Sequence, residues 1–433
     1  MCARTSGRTV ARPRLRMTRV TRTHGGTMST SSTSRIEAAR GGATRALDDL
    51  DLPVMLLHDE AVRSNVRLMA DYCAARGVHL APHAKTSMTA YITHLQLERG
   101  AWGLTAATIR QARDLWGLGV RRILIANLVV EERAIAWVAE TFLAHASEPS
   151  DVLVYVDSVD SLEILSSRLD ALQPALRLGV LVELGFTGGR TGARSVHEAV
   201  ELARRVSESP RLELRGVAGF EGLMPRGQEA VPPAIGTFLD ELHALTERCQ
   251  AENLFERRPV VTAGGSSYFD LVVDAVGPDR FGFPVDTILR SGCYATHDHG
   301  VYRETSPFDG RSDQPGGSRF APALELVASV LSTPEPGLVI AGFGRRDVPT
   351  DDRLPVVVGQ RHDDGSITPV EGARVVGVND QHAFVSVAAT CALRAGDRIS
   401  LGVSHPCGAF DRWRSIPVVD ARGSLVDVAE PRL

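Results

Sequence analysis

The sequence predicts an α/β protein: a TIM-like (β/α)8 barrel followed by an all-β domain. Three observations predict it. From about residue 52 to residue 290, short apolar β-branched runs alternate with longer helical patterns, as in a parallel sheet covered by helices. About eight such units follow one another, which suits a closed barrel. Beyond residue 320 the helical period stops, and short strand-like runs separated by turn residues take over. No Gly-x-Gly-x-x-Gly follows the first strand, which weakens a dinucleotide-binding sheet as the alternative.

The elements follow in order. Val54 to Leu57 reads as the first strand, with a helix from about Glu60 to Ala75 behind it. Val78 to Ala81 leads to a helix from Met88 to Arg99. Trp102 to Thr105 leads to a helix from Thr108 to Leu118, and Ile123 to Ala126 is the next strand. Val152 to Val156 precedes a helix near Ser161 to Leu172, and Leu178 to Glu183 a helix near Val196 to Ser207. Leu214 to Phe220 precedes a helix near Ala234 to Glu252. Val260 to Thr262 and Thr287 to Arg290 close the series. The polar Pro/Gly/Ser stretch over 303–319 reads as a linker or surface loop. Behind it, Leu324 to Leu331, Gly337 to Ala341, Leu354 to Val358, Ala373 to Val378, Phe384 to Val387, Arg398 to Gly402 and Ile416 to Val419 are strand-like. The expected domains are a disordered tail over 1–45, a barrel over 46–305 and a β domain over 318–433. The tail is rich in Arg, Thr and Ser, has no acidic residue before Glu37, and lacks the apolar core of a targeting peptide. Met28 is a candidate start.

Bulk composition narrows the function classes. Apolar content of 43% and charged content of 23% are those of a soluble globular chain. A net charge of -4 argues against nucleic acid or an acidic membrane as a necessary partner. No apolar run is long enough to span a bilayer. Six cysteines are scattered without a Cys-x-x-Cys, which points to a reducing, cytoplasmic setting.

The chain has 48 lysines and arginines, of which only one, Lys85, is lysine. Arginine replaces lysine at a surface but cannot lose its proton to form a Schiff base. Lys85 follows a buried strand within Pro82-His83-Ala84-Lys85-Thr86, at the barrel face where functional residues gather. Partial desolvation there makes an amine nucleophilic. Thr262-Ala-Gly264-Gly265-Ser266-Ser267 and Arg290-Ser-Gly292-Cys293-Tyr294 follow late strands. Their backbone N–H groups and hydroxyls suit a phosphate. Glu183 to Gly192, with Arg190 among glycines, and Glu221 are further polar clusters at strand ends; a solvated glycine-rich turn is the alternative. In Ser404-His405-Pro406-Cys407, positions i and i+2 share a side of an extended segment, so His405 and Cys407 can bind one metal. Imidazole and thiolate favour Zn²⁺, and two protein ligands leave room for substrate. His297-Asp298-His299 also has the residue types of a metal site.

In this order, Pro82-His-Ala-Lys-Thr86, Gly264-Gly-Ser266, Arg290-Ser-Gly-Cys-Tyr294 and His405-Pro-Cys407…Phe410-Asp-Arg-Trp413 resemble the D-threonine aldolase/D-serine dehydratase group. That group belongs to the alanine-racemase-like, fold type III pyridoxal-phosphate enzymes. The resemblance covers about residues 50–433. It implies pyridoxal 5'-phosphate on Lys85, with His83, Arg190, Gly264, Gly265, Ser266, Gly292 and Tyr294 around the cofactor. It also implies a divalent metal, zinc or manganese, on His405 and Cys407, a D-amino acid substrate and a homodimer. A cysteine in the metal pair leans toward the dehydratase branch, which yields a keto acid and ammonia from a β-hydroxy D-amino acid. D-Threonine aldolase chemistry, giving glycine and an aldehyde, is the alternative. A racemase and a non-catalytic pyridoxal-phosphate-binding protein stand behind it.

Overall fold

The computed structural model describes residues 47, 50–146, 151–224, 233–309, 311 and 317–432. The tail expected over 1–45, and Met28 within it, lie outside the described residues.

Eight parallel strands form the barrel: β2 (His79–Leu80), β3 (Leu104–Ala106), β4 (Ile123–Leu128), β5 (Val152–Val156), β6 (Leu178–Leu184), β7 (Leu212–Gly219), β8 (Val260–Ala263) and β9 (Asp286–Leu289). Their order is β2-β9-β8-β7-β6-β5-β4-β3. The ring closes between β2 and β3, where Trp102 N–H donates to Leu80 O at 2.7 Å and Thr105 N–H to Pro82 O at 2.9 Å. A parallel bridge between His83 and Thr105 continues that seam.

Between strands the chain makes the expected helices, and hydroxyl caps start several of them. Thr89 caps Ala90–Glu98, Thr108 caps Ile109–Gly117 and Ser195 caps Val196–Glu208. Ser158 and Ser161 form a capping box at Val159–Leu172. Each hydroxyl satisfies an N–H that has no partner within the helix. Two helices lack a clear sequence signal: Glu132–Trp137, which continues as a wide turn over Val138–Leu143, and Phe269–Val276.

Strands β3, β5, β6, β7 and β8 are buried along their whole length, which is why most of them read as apolar runs. The two faces still alternate. Ala81, Leu124, Leu153, Leu181, Ala218, Val260 and Ile288 meet in one apolar cluster, which fills the barrel interior. Alternate residues such as Val152, Val154 and Val156 pack outward into the larger core with the helices. At Gly216 the register slips against β6, and a Cβ there would lie 1.8 Å from Val260 O, so only glycine lets β7 pass β8.

The first strand departs from expectation. β1 (Val54–His58) does not join the barrel. It pairs antiparallel with β10 (Leu324–Glu335) and parallel with β17 (Ile416–Val419). A fully apolar strand announces burial but not its partner, which is why the sequence pattern placed it in the wrong sheet. The β domain runs β13-β12-β16-β10-β1-β17-β18, with β12 (Val356–Arg361), β13 (Ile367–Thr368), β16 (Arg398–Gly402) and β18 (Leu425–Ala429). A flap of β11 (Leu338–Ala341), β14 (Arg374–Val378) and β15 (Ala383–Ser386) hangs from the far end of β10. The expected linker is partly structured: Val301–Thr305 is a short helix, Phe308 is buried, and residues 312–316 lie outside the described ones. Among the described residues no helix is long and apolar enough to cross a membrane.

The placement of β1 predicts two outcomes. A fragment of residues 318–433 lacks its central strand and should melt without a cooperative transition, whereas fusing residues 50–58 to it should restore one, as read by circular dichroism. In the whole chain Met55→Ala, at a fully buried position, should cost about 2–5 kcal/mol in urea unfolding.

Candidate active site

Barrel strands alternate faces with period two, so the residue two beyond each interior position points to the mouth. Two beyond Ala81, Leu124, Leu153, Leu181, Ala218 and Ile288 stand His83, Ala126, Tyr155, Glu183, Phe220 and Arg290. All six line one cavity of about 650 Å³. Its rim is completed by Lys85 and Thr86 from the short 3-10 turn after β2. Gly264, Gly265, Ser266, Gly292 and Cys293 come from the turns after β8 and β9, and Arg190 from the loop after β6. The β domain roofs it with Asp351, His405, Cys407 and Asp411. The cavity therefore brings together nine of the residues singled out above: Lys85, His83, Arg190, Gly264, Gly265, Ser266, Gly292, His405 and Cys407.

Tyr294 is not among them. It is 1% exposed, receives a hydrogen bond from Gln96 Nε2 at 3.1 Å and packs on Phe320. The 3-10 turn Cys293–Ala295 points consecutive side chains in different directions, so Cys293 faces the cavity and Tyr294 the core. Tyr302 joins Tyr155 as a phenol lining the site, and burial pushes Tyr302 well above its ordinary pKa. Lys85 is exposed to the cavity, not desolvated as the sequence suggested.

The Gly-Gly-Ser turn also differs from expectation. The N–H groups of Gly264 and Gly265 donate to the two carboxylate oxygens of Glu221, at 3.1 and 3.0 Å. Glu221 is fully buried, so this pairing fixes the turn and removes both donors from any ligand. Ser266 keeps its hydroxyl unpaired. Gly292 is required by a close approach: a Cβ there would stand 2.4 Å from His83 O.

Four buried polar atoms of the wall have no partner: His83 Nδ1, Tyr155 Oη, Glu183 Oε2 and Ser266 Oγ. Unpaired buried groups of this density are costly and call for a polar ligand. Burial, with the charges of Lys85, Arg290 and Arg190, holds His83 well below the ordinary imidazole range, so the ring is neutral. Burial raises Glu183 against the opposing effects of Thr191 and Arg290. Arg290 is held by Thr262 Oγ1 and Gly219 O, both at 2.7 Å.

At the roof, Cys293, His405 and Cys407 bring their ligand atoms within 4.8 Å of one another. The two sulfurs are 3.3 Å apart, and Thr86 Oγ1 lies 3.4 Å from Cys293 Sγ and 3.9 Å from Cys407 Sγ. Either sulfur can donate to the other. The hydrogen bond with Cys407 pulls Cys293 well below the usual thiol range, and Cys407 is pushed up by the same contact. The Cys293 interaction and Asp351 together raise His405 to about 9 against burial. Asp351 Oδ2 meets His405 Nδ1 at 2.7 Å, which fixes the ring and leaves Nε2 for the cavity. Sequence spacing found His405 and Cys407 but not Cys293, which is over a hundred residues away; its only signal was a cysteine in a strand-end turn.

His297-Asp298-His299 holds no site. Asp298 accepts from the N–H groups of Gly300 and Tyr302, at 2.9 and 3.0 Å, and so anchors the turn that carries Tyr302. His297 faces Asp309, and His299 packs against Gly402.

Comparison with known proteins agrees with this architecture. Residues 57–274 match the family described as "Alanine racemase, N-terminal domain", and residues 323–419 the "Putative serine dehydratase domain". A 3-hydroxy-D-aspartate aldolase from Paracoccus denitrificans is 24% identical over 389 residues, covering 88% of this chain and 92% of that protein. The crystal structure of D-threonine aldolase from Filomicrobium marinum superimposes with a TM-score of 0.72 at 23% identity, over 89% of this chain and 96% of the other. D-threo-3-hydroxyaspartate dehydratase from Delftia sp. HT23 does so at 0.70 and 20%, over 90% and 99%, and a cysteine-to-alanine mutant of it is known in a metal-free form.

Two tests follow from the geometry. Glu221→Ala should destabilise the fold by about 1–3 kcal/mol for each N–H it orphans, with Glu221→Gln losing less, in urea titration. After metal removal, iodoacetamide followed by peptide mass mapping should label Cys293 while Cys73 and Cys249, which burial raises to about 12, stay unmodified.

Proposed function

The chain belongs to the alanine racemase N-terminal domain family, and on that premise we propose that it is a pyridoxal-phosphate- and metal-dependent lyase acting on β-hydroxy D-amino acids. The reaction is α,β-elimination to a keto acid and ammonia, with D-serine the simplest substrate. One observation carries the reading. The only lysine and a thiol–imidazole cluster face the same cavity, joined through Lys85-Thr86, whose threonine hydroxyl touches Cys293.

The site suits both groups. The unpaired atoms of His83, Tyr155, Glu183 and Ser266 supply polar contacts for a cofactor, and the thiol–imidazole set is that of a borderline-soft metal. Lys85, His83, Arg190, Ser266 and Gly292 would hold pyridoxal phosphate; Gly264 and Gly265 shape the turn. Pyridoxal phosphate, when bound, supplies an electron sink for the negative charge that develops at the substrate Cα. A metal on His405 and Cys407 supplies Lewis acidity toward the β-hydroxyl leaving group.

The chain's own residues do the rest. Lys85 would hold the cofactor by its amine, and its free amine would be the base for the proton at Cα. Neutral His83 places a hydrogen-bonding ring beside it without adding charge. Arg290, held at two points, keeps a fixed positive charge on the floor next to Tyr155 and Glu183. The β domain roofs the cavity with Asp351, His405, Cys407 and Asp411.

Elimination is favoured over Cα–Cβ cleavage. The thiolate in the metal pair carries that preference through the family resemblance, since the cavity also offers the Glu183, Asp351 and Asp411 carboxylates as bases for the β-hydroxyl proton. Asp351 commits His405 to the metal side. Cleavage remains the alternative that the assay decides. A homodimer belongs to the same reading through the family resemblance, and light scattering on the purified protein checks it.

Purified protein should be yellow, and borohydride should fix the cofactor on the Lys85 peptide. D-Serine, D-threonine and D-threo-3-hydroxyaspartate should yield keto acid and ammonia; release of glycine and aldehyde instead would establish the aldolase. Lys85→Arg should lower turnover by at least about 10²-fold. A colourless protein without cofactor would reject the reading.

A further inference from the structure

We propose that Cys293 is itself a metal ligand, so that the centre is a Cys2His zinc site spanning the two domains, not a His/Cys pair on the β domain alone. The inference rests on the metal-bearing lyase reading above and deepens it.

Four observations carry it. The Cys293 and Cys407 sulfurs stand 3.3 Å apart, with His405 in the same cluster. Two sulfurs on one tetrahedral zinc are separated by about 3.8 Å, from Zn–S bonds of about 2.3 Å, so a shift of roughly half an ångström seats both. Outer contacts are already in place: Asp351 holds His405 Nδ1 at 2.7 Å, and the Thr86 hydroxyl lies 3.4 Å from Cys293 Sγ. Cys293 is aimed by a rigid turn, since neighbouring Gly292 is pressed against His83 O and Ser291 Oγ donates to Gly265 O at 2.8 Å.

The donor set has consequences for the chemistry. Two thiolates and one imidazole select zinc over manganese or magnesium, which prefer oxygen ligands. Three protein ligands leave one tetrahedral position, which the substrate hydroxyl can take. Cys293 belongs to the barrel and His405 and Cys407 to the β domain, so the ion also ties the roof to the barrel mouth.

X-ray absorption at the zinc edge of the cofactor-loaded protein tests the assignment. Two sulfur neighbours at about 2.3 Å are expected for the parent chain and one for Cys293→Ser. The variant should also surrender zinc to a chelator at least about tenfold more readily. The parent should take up zinc alone from an equimolar mixture with manganese. A single sulfur in the parent chain, or two in Cys293→Ser, overturns the proposal. The sulfur count is read without turnover. A single sulfur would therefore leave the lyase standing, and a protein without lyase activity that still showed two would leave the zinc site standing. Should Cys293→Ser fail to fold, the count in the parent chain decides.

Discussion

Two backbone hydrogen bonds set the relation on which the site depends. His299 N–H donates to Val403 O at 2.9 Å, and Val301 N–H to Ser404 O at 3.0 Å. They join the segment leaving the barrel to the strand end that precedes His405. Ser404 extends the grip, with its hydroxyl reaching the carbonyls of Arg353 and Leu354 and so bringing Asp351 beside His405. Gly300 has no side chain to hold the strands apart; a Cβ there would meet Ser404 at 2.6 Å. Without this splice the barrel would be an open cup and the second domain a sandwich carrying an idle histidine and cysteine.

Within the barrel, the division of labour follows from strand periodicity alone. One layer of apolar side chains plugs the interior, and the next layer up is chemical. Leu153 gives way to Tyr155, Leu181 to Glu183 and Ile288 to Arg290 along single strands. The plug excludes water from below, so the charged layer sits on a low-dielectric floor where its interactions are stronger than at a surface. Rigidity comes from the turns, each fastened by a buried partner: Glu221 under the Gly264-Gly265 turn, and the Ser291 hydroxyl against the Gly265 carbonyl.

Much of this was legible in the sequence, and the failures share a cause. Lys85 stood out by composition, His405 and Cys407 by spacing, and the barrel strands by apolar runs. Each of those signals is local. Cys293 and Glu221 matter because of what folding brings to them from elsewhere, and no spacing along the chain encodes that. Tyr294 was misplaced because a 3-10 turn rotates about a third of a circle per residue, so the residue next to cavity-facing Cys293 faces the core. The mouth layer was within reach: counting two beyond each interior residue finds it, once the interior residues are known. For β1 local pattern could not help, since an apolar strand fits any buried slot.

The position of β1 also bears on how the chain is made. Leu57 is synthesised 361 residues ahead of its partner Val418 (418 − 57). At about 5–20 residues per second the strand waits roughly 20–70 s on the ribosome, while the barrel segments behind it can already pair. Val54–Leu57 is an apolar strand with both edges open until Leu324–Glu335 is made, and with one edge open until Ile416–Val419 follows, the kind of segment that associates with other chains. Final closure of the sheet, and with it the roof over Lys85, therefore waits for the synthesis of Ile416–Val419.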